Sequence, residues 1–305
     1  MPPETGTPQP RRRRWGRAAV SAAPQLWLGL FLLLPMLILL KISLSESDIL
    51  GIGFEPIVSL VQQNLIIRLR LAAYIALLHD QLYLLTYLSS LGYAALTTLA
   101  CLLLGYPFAY AMARARPSRR PALLMLVMLP FWTSFLIRIY AWKNLLDTAG
   151  LVNQLLLWAG VIHAPLHMMF TPFSFMIGMV YGYIPFMILP LYATLSRLDE
   201  RLLEASADLG ATPTQTFWRI TVPLSRPGVL AGCALVFIPA VGEYVIPALL
   251  AGPSTLNIGR VLWDEFFSNL DWQRASAVAV VMVALILAPI MLFSRAQARA
   301  REQHE

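Results

Sequence analysis

The stretch Ser196–Pro227, SRLDERLLEASADLGATPTQTFWRITVPLSRP, is a polar interval between two apolar runs. Its 32 residues far exceed the roughly 2–8 that usually join neighbouring helices in a bundle, so it must carry structure of its own. Asp199 is placed to cap a helix whose apolar stripe is Leu198, Leu202, Leu203 and Leu209, continued through Ala205. Gly210 can take the left-handed conformation that ends a helix without a steric penalty. A second helix is predicted at once: Thr212 as its cap, Pro213 in the first helical position and Gln215 completing a capping box. Pro223 is expected to stop it after the bulky groups Phe217, Trp218 and Ile220. A helix, a glycine corner and a second capped helix on one loop make a docking projection.

What flanks this loop sets its context. The 305 residues are 58% apolar and only 13% charged, with a mean hydropathy of +0.65. A soluble domain carries about 25% charged residues, so an ordinary soluble enzyme, a disordered chain and a nucleic-acid binder are all excluded. Six stretches reach the length of about 20 apolar residues that crosses a bilayer: Gln25–Leu44, Tyr83–Ala113, Pro121–Trp142, Phe173–Leu195, Gly228–Ala251 and Ser276–Phe293. The expected fold class is an all-α polytopic membrane protein with six transmembrane helices.

If the six spans alternate, 16 of the 23 basic residues fall on one side, whose net charge is then +9 against −2 for the remainder. The positive-inside rule places that side, with both termini, in the cytoplasm. Residues 1–24 read as a basic cytoplasmic tail, 25–44 as an anchor, and 45–82 as an outer segment with interfacial or packed helices. Residues 83–293 form the core, with the cytoplasmic loop 196–227 inside it, and 294–305 a second cytoplasmic tail. Arg11–Arg14 precede a span too long for a cleavable leader, so the first span is expected to be an uncleaved anchor. The outer segment after Lys143 suits a short helix over Leu151–Ile162.

No metal site is expected. Cys101 and Cys233 lie in apolar stretches without metal-binding spacing, and Pro165 breaks the helix that would align His163 with His167. Glu243 is the one carboxylate deep within a predicted span, where a charge costs at least about 2.5–3.5 kcal/mol and must face a cavity or a partner. Pro239, Gly242 and Pro247 interrupt the helix around it, and Tyr244 is adjacent. A carboxylate beside aromatic rings suits an alkyl diammonium, through charge pairing and cation–π contact. Trp132, Tyr181, Tyr183 and Tyr192 are weaker pathway candidates. Arg138 is expected off the path, neutralising a carboxylate or reaching to the interface, and the outer acids Asp264 and Glu265 are expected to be exposed, attracting a cation or a delivery protein.

Glu204-Ala205-Ser206, three residues, Gly210, nine residues, Ile220, one residue, Val222-Pro223 resembles the EAA signature of membrane permeases of ATP-binding-cassette importers. Ser206 stands where that pattern has alanine and Val222 where it has leucine, both with little change in size. The resemblance implies a type I importer permease fold. It also implies that Glu204, Ala205, Ser206, Gly210, Ile220 and Pro223 belong to a coupling helix seated in a groove of a separate ATPase. The chain has no GxxxxGK[ST] phosphate loop, so no cofactor is expected in it; ATP and magnesium would be held by the partner ATPase.

Three further segments, Leu129–Trp142 (LPFWTSFLIRIYAW), Tyr183–Pro190 (YIPFMILP) and Phe237–Leu250 (FIPAVGEYVIPALL) with Ile258–Phe267 (IGRVLWDEFF), resemble the spermidine/putrescine importer permeases, closest to the putrescine type. That resemblance implies a bacterial inner-membrane subunit paired with a second, homologous permease, two ATPases and a periplasmic polyamine-binding protein, with alternating access and no catalysis in this chain. The alternatives are an importer permease for another small solute and a secondary transporter using Glu243 as proton carrier. The latter is opposed by the single carboxylate and the lack of an inverted repeat. A membrane-embedded protease is opposed by the absence of GxSxG and of any histidine in a span.

Overall fold

The computed structural model describes residues 12–45, 58–61, 64–67, 70–253 and 255–302. Most of the N-terminal tail's first half, the acids Glu46, Asp48 and Glu55, and the last three residues lie outside that set. In chain order the elements are α1 (Arg12–Ser43), β1 (Val58–Val61), β2 (Asn64–Ile67), α2 (Ala72–His79), α3 (Gln81–Arg114), α4 (Arg120–Met128), α5 (Phe135–Leu146) and α6 (Leu151–Trp158). There follow α7 (Pro172–Leu195), α8 (Glu200–Asp208), α9 (Pro213–Thr216), α10 (Val222–Val241), α11 (Val245–Leu250), α12 (Ile258–Trp263) and α13 (Trp272–Glu302). The chain divides into two compact units, residues 1–77 with 265–305, and residues 78–264.

In the larger unit α3, α7 and α10 pack against one another as a three-helix core. Side chains stay small where backbones meet, as lipid-embedded helices require. A Cβ on Gly105 of α3 would lie 3.2 Å from Met187 Cγ of α7, and one on Gly232 of α10 would lie 2.6 Å from the Met187 sulfur. Ala94, Cys101, Ala109, Met179, Met187, Leu191 and Val236 are fully buried in this unit. Buried hydroxyls on α3 return their protons to the helix, Thr86 to the Leu82 carbonyl and Thr98 to that of Ala94, each at 2.7 Å.

In the smaller unit α1 packs on α13. The end of α1 is tied to the chain that re-enters at residue 70: Arg70 N–H donates to the Leu44 carbonyl (3.0 Å), and the hydroxyls of Ser43 and Tyr74 share a hydrogen bond of 2.7 Å. Leu26, Leu28, Leu32 and Leu37 of α1 are each more than 60% exposed, as a lipid-facing anchor would be.

Four helical stretches among the described residues are long and apolar enough to cross a membrane: Pro24–Ser43, Gln81–Arg114, Pro172–Leu195 and Pro213–Val241. Departures from six uninterrupted spans are informative. The third expected span, Pro121–Trp142, is broken at Thr133 and Ser134, and the helical pieces on either side are bent by 88°. Pro130 shapes the 3₁₀ turn Leu129–Trp132 before the break, and the Thr133 hydroxyl satisfies the Pro130 carbonyl at 2.8 Å. The fifth, Gly228–Ala251, is interrupted between α10 and α11. The sixth lies within the single helix α13, where the apolar run Trp272–Ala288 is continued in the sequence by Pro289–Phe293. Among the described residues of the outer segment 45–82, α2 and the start of α3 are helical, whereas 58–61 and 64–67 pair as antiparallel strands with Val58 opposite Ile67, consistent with their β-branched content.

The α7–α10 approach is tightest at Gly228, where a Cβ would come within 2.8 Å of Thr194 Cβ and 2.9 Å of the Pro190 carbonyl. Gly228→Ala should therefore cost about 1–3 kcal/mol of overpacking strain, while Gly232→Ala, whose tightest contact is the flexible Met187 sulfur and whose nearest backbone atom is 3.3 Å away, should cost less. Thermal unfolding of the detergent-solubilised protein measures both; equal midpoints for the two variants would contradict this account.

Candidate functional site

The loop between α7 and α10 is built almost entirely from local signals. Asp199 caps α8 by accepting the Arg201 N–H at 3.0 Å. Gly210 adopts φ +79°, and the helix closes with Ala211 N–H to the Ser206 carbonyl (3.1 Å) and Gly210 N–H to that of Ala207 (2.9 Å). The next helix opens with a full capping box: the Thr212 hydroxyl accepts the Gln215 N–H (3.3 Å) and Gln215 Oε1 accepts the Thr212 N–H (3.0 Å).

Pro223 does not stop this second helix. One turn of α9 passes into a π-turn, Phe217–Thr221, which runs directly into α10 with Pro223 in its first turn. A proline inside a regular helix would clash with the carbonyl four residues back; the widened turn just before Pro223 absorbs that misfit. The second helix of the loop and the span are thus one continuous rod.

The corner has an inner and an outer side. Ser206 is buried, and its hydroxyl shares a hydrogen bond of 2.8 Å with that of Thr216, joining α8 to α9. Phe217 points inward and meets Tyr106 and Tyr110 of α3 edge-on, at 5.7 and 5.5 Å between ring centres. Tyr106 also shares a hydrogen bond with Ser225 at 2.9 Å. Outward, Leu209 is 89% exposed and Trp218 64%, with Leu202, Glu204 and Ala205 exposed beside them. Ile220 is half-buried.

The second set of candidate residues gathers at the break between α10 and α11. Glu243 follows Gly242, which ends α10, and its carboxylate is held on both oxygens. Oε1 accepts the N–H groups of Val245 (2.9 Å) and Ile246 (3.3 Å), the first donors of α11, and Oε2 accepts the hydroxyl of buried Tyr183 of α7 at 2.5 Å. Tyr244 turns to α12 and stacks on Trp263, with ring centres 4.2 Å apart and planes at 13°. The start of α12 approaches so closely that a Cβ on Gly259 would lie 2.5 Å from the Glu243 carbonyl oxygen.

The structure therefore brings Tyr183 to Glu243, separates Tyr244 from that pair, and leaves Trp132 74% exposed on the 3₁₀ turn. Tyr181 packs edge-on to Trp142 at 5.4 Å. Asp264 is exposed and pairs with Arg260 at 3.9 Å, but Glu265 is buried and accepts the Asn269 amide at 2.9 Å, so the two do not form the exposed acidic pair expected of them. A π-turn over Asp264–Ser268 turns Glu265 inward. Trp263, Phe131 and Phe186 were not foreseen as neighbours of the site, and no spacing in the sequence signals them.

Comparison with known proteins agrees with this architecture. Residues 102–303 match the family described as binding-protein-dependent transport system inner membrane component. The spermidine/putrescine transport system permease protein PotB of Escherichia coli K12 is 42% identical over 270 residues, covering 88% of this chain and 94% of that protein. PotB of Haemophilus influenzae is 40% identical over the same share of this chain and 90% of its own length. Among solved structures, a bacterial ABC transporter involved in the import of the acidic polysaccharide alginate superposes with a TM-score of 0.66 at 19% identity, covering 95% of this chain and 96% of that one. The MetNI methionine ABC transporter gives a TM-score of 0.53 at 17% identity, over 71% of this chain and 96% of that one. A cap-defined helical corner, a three-helix core and a match over two thirds of the length lead to one conclusion: the chain belongs to the inner-membrane components of binding-protein-dependent transport systems, as a permease subunit without catalytic chemistry of its own.

Proposed function

We propose that this permease forms half of the pathway of an ATP-driven importer for polyamines, putrescine or spermidine. The observation that carries the reading is the 42% identity, over nearly the whole of both chains, to the spermidine/putrescine permease. The chemistry around Glu243 supports it. Among the described residues the carboxylate is fixed by neutral donors, two backbone N–H groups on Oε1 and a tyrosine hydroxyl on Oε2, so its charge is uncompensated and Oε2 keeps a lone pair for an ammonium donor. Glutamine in its place would remove the attraction while its amide oxygen can still accept the N–H groups that hold the break.

In this reading the six crossings are α1, α3, α4 with α5, α7, α10 with α11, and α13. The excess of basic residues places the corner at residue 210 and both termini in the cytoplasm. A separate ATPase receives the exposed face of α8 with Leu209 and Trp218, a second, homologous permease completes the pathway, and a periplasmic polyamine-binding protein delivers the cargo. ATP and magnesium belong to the ATPase. Closure of the ATPases then rocks α10 and its neighbours between inward-open and outward-open states.

Two outcomes test this. In cells that depend on this importer, Glu243→Gln should lower initial uptake of labelled putrescine and spermidine at least about tenfold at unchanged protein level, the loss of one charge-assisted contact of about 1.5–3 kcal/mol; unchanged uptake of both would overturn the pathway assignment. At the other end, Glu204→Lys should abolish co-purification of the ATPase. Ser206→Ala and Thr216→Val should each lower the number of molecules imported per ATP by about two- to threefold, and the double variant should be no worse than either, because they share one bond. Additive losses would show that the two hydroxyls act separately.

A further inference from the structure

Arg138 occupies a position that its sequence context did not suggest. Its guanidinium carbon lies 4.7 Å from the ring centre of Phe131 and 5.6 Å from that of Phe135, both within cation–π range. Its Nε and Nη1 are shut off from solvent and have no hydrogen-bond partner, and no carboxylate pairs with it among the described residues. A structural arginine ordinarily uses its five donors on carbonyls or carboxylates, and leaving buried donors unmade costs about 1–3 kcal/mol, more for a charged group. Here the shielded side of the charge is met by rings and not by hydrogen-bond acceptors. The two rings come from opposite sides of the break at Thr133 and Ser134, so the seat exists only because the chain bends there.

From this seat a run of aromatic side chains leads to the carboxylate. Phe131 meets Phe186 edge-on at 5.3 Å, Phe186 lies 6.3 Å from Tyr183, and Tyr183 donates to Glu243. An anionic end and a ring-lined end, joined by apolar surface, form a two-ended receptor for a linear molecule with a cation at each end. We propose that Arg138 stands in for the second ammonium group of the substrate, holding the Phe131–Phe135 seat until a diamine anchored at Glu243 displaces it. The guanidinium is suited to being displaced because none of its buried donors is anchored. This inference rests on the polyamine reading above and adds a basis for preferring diamines to monoamines.

The test is equilibrium binding of radiolabelled putrescine, with butylamine as the one-ended probe, to the assembled importer in nanodiscs without its delivery protein. Arg138→Gln empties the seat and should tighten putrescine binding about fivefold while leaving butylamine unchanged, because a monoamine uses the Glu243 end alone. Arg138→Lys, which refills the seat with a cation, should bind as the wild type does, and adding Phe131→Leu to Arg138→Gln should abolish the gain. Arg138→Met keeps the apolar stem and repeats the test if the glutamine variant fails to assemble. Unchanged or weaker putrescine binding overturns the proposal, and so does an equal gain for butylamine, which would report general relief of repulsion. Uptake by the wild-type complex is measured alongside: its absence for every polyamine removes the functional reading and this inference together, whereas normal uptake with unaltered Arg138→Gln affinity removes only the seat.

Discussion

A backbone that leaves the helix inside hydrocarbon has no water to satisfy it, and each polar group so exposed costs several kcal/mol. The interruption at Gly242–Tyr244 exists because side chains meet that demand. Glu243 takes the first two N–H groups of α11, and at the other end of that short helix the Ser174 hydroxyl donates to the Leu250 carbonyl at 2.8 Å. Gly259 permits α12 to close over the carbonyls of the break. The carboxylate that draws attention as a buried charge is therefore also the cap of a helix. The two roles are compatible because capping uses one oxygen, leaving the other to Tyr183 and to whatever enters beside it.

The same helix joins the corner to this break. From the π-turn to Gly242 the chain is a single helix, and its 20 regular residues span about 30 Å at 1.5 Å per residue. The corner is clasped to that helix by Ser206 with Thr216, and to α3 by Phe217 between two tyrosines. Met187 of α7 sits against Gly105 of α3 and Gly232 of α10, so the three helices have little freedom to slide independently. A continuous rod with the corner at one end and Glu243 at the other is what the proposed coupling requires.

What was legible in the sequence follows this division between local and distant causes. The caps at Asp199 and Thr212 and the left-handed Gly210 are decided within a few residues, and the structure forms each of them. Glu243 stood out because a lone carboxylate in an apolar run needs an explanation. The misreadings have non-local causes. Pro223 signals a helix end by itself, yet a π-turn upstream carries the helix past it. Asp264 and Glu265 look equivalent as neighbours, but the same kind of turn buries one and exposes the other. Tyr244 has its stacking partner 19 residues away on a different helix, and the ring path from Phe131 to Tyr183 crosses two elements. Neither relation leaves a periodic trace.

The unpaired state of Arg138 and Glu243, both half-buried, has its own logic. Had Arg138 and Glu243 been in contact, their attraction at about 4 Å would be on the order of 4 kcal/mol at an effective dielectric constant of 20, and any cation seeking the carboxylate would have to overcome it. Neutral donors hold the carboxylate and neutral rings hold the guanidinium instead. Each charge is stabilised enough to be tolerated away from water, and neither is neutralised. The proposed pathway, which must bind a cation and then let it go, requires that intermediate condition, since a fully paired site would be closed to substrate and a fully unpaired one would be too costly to fold.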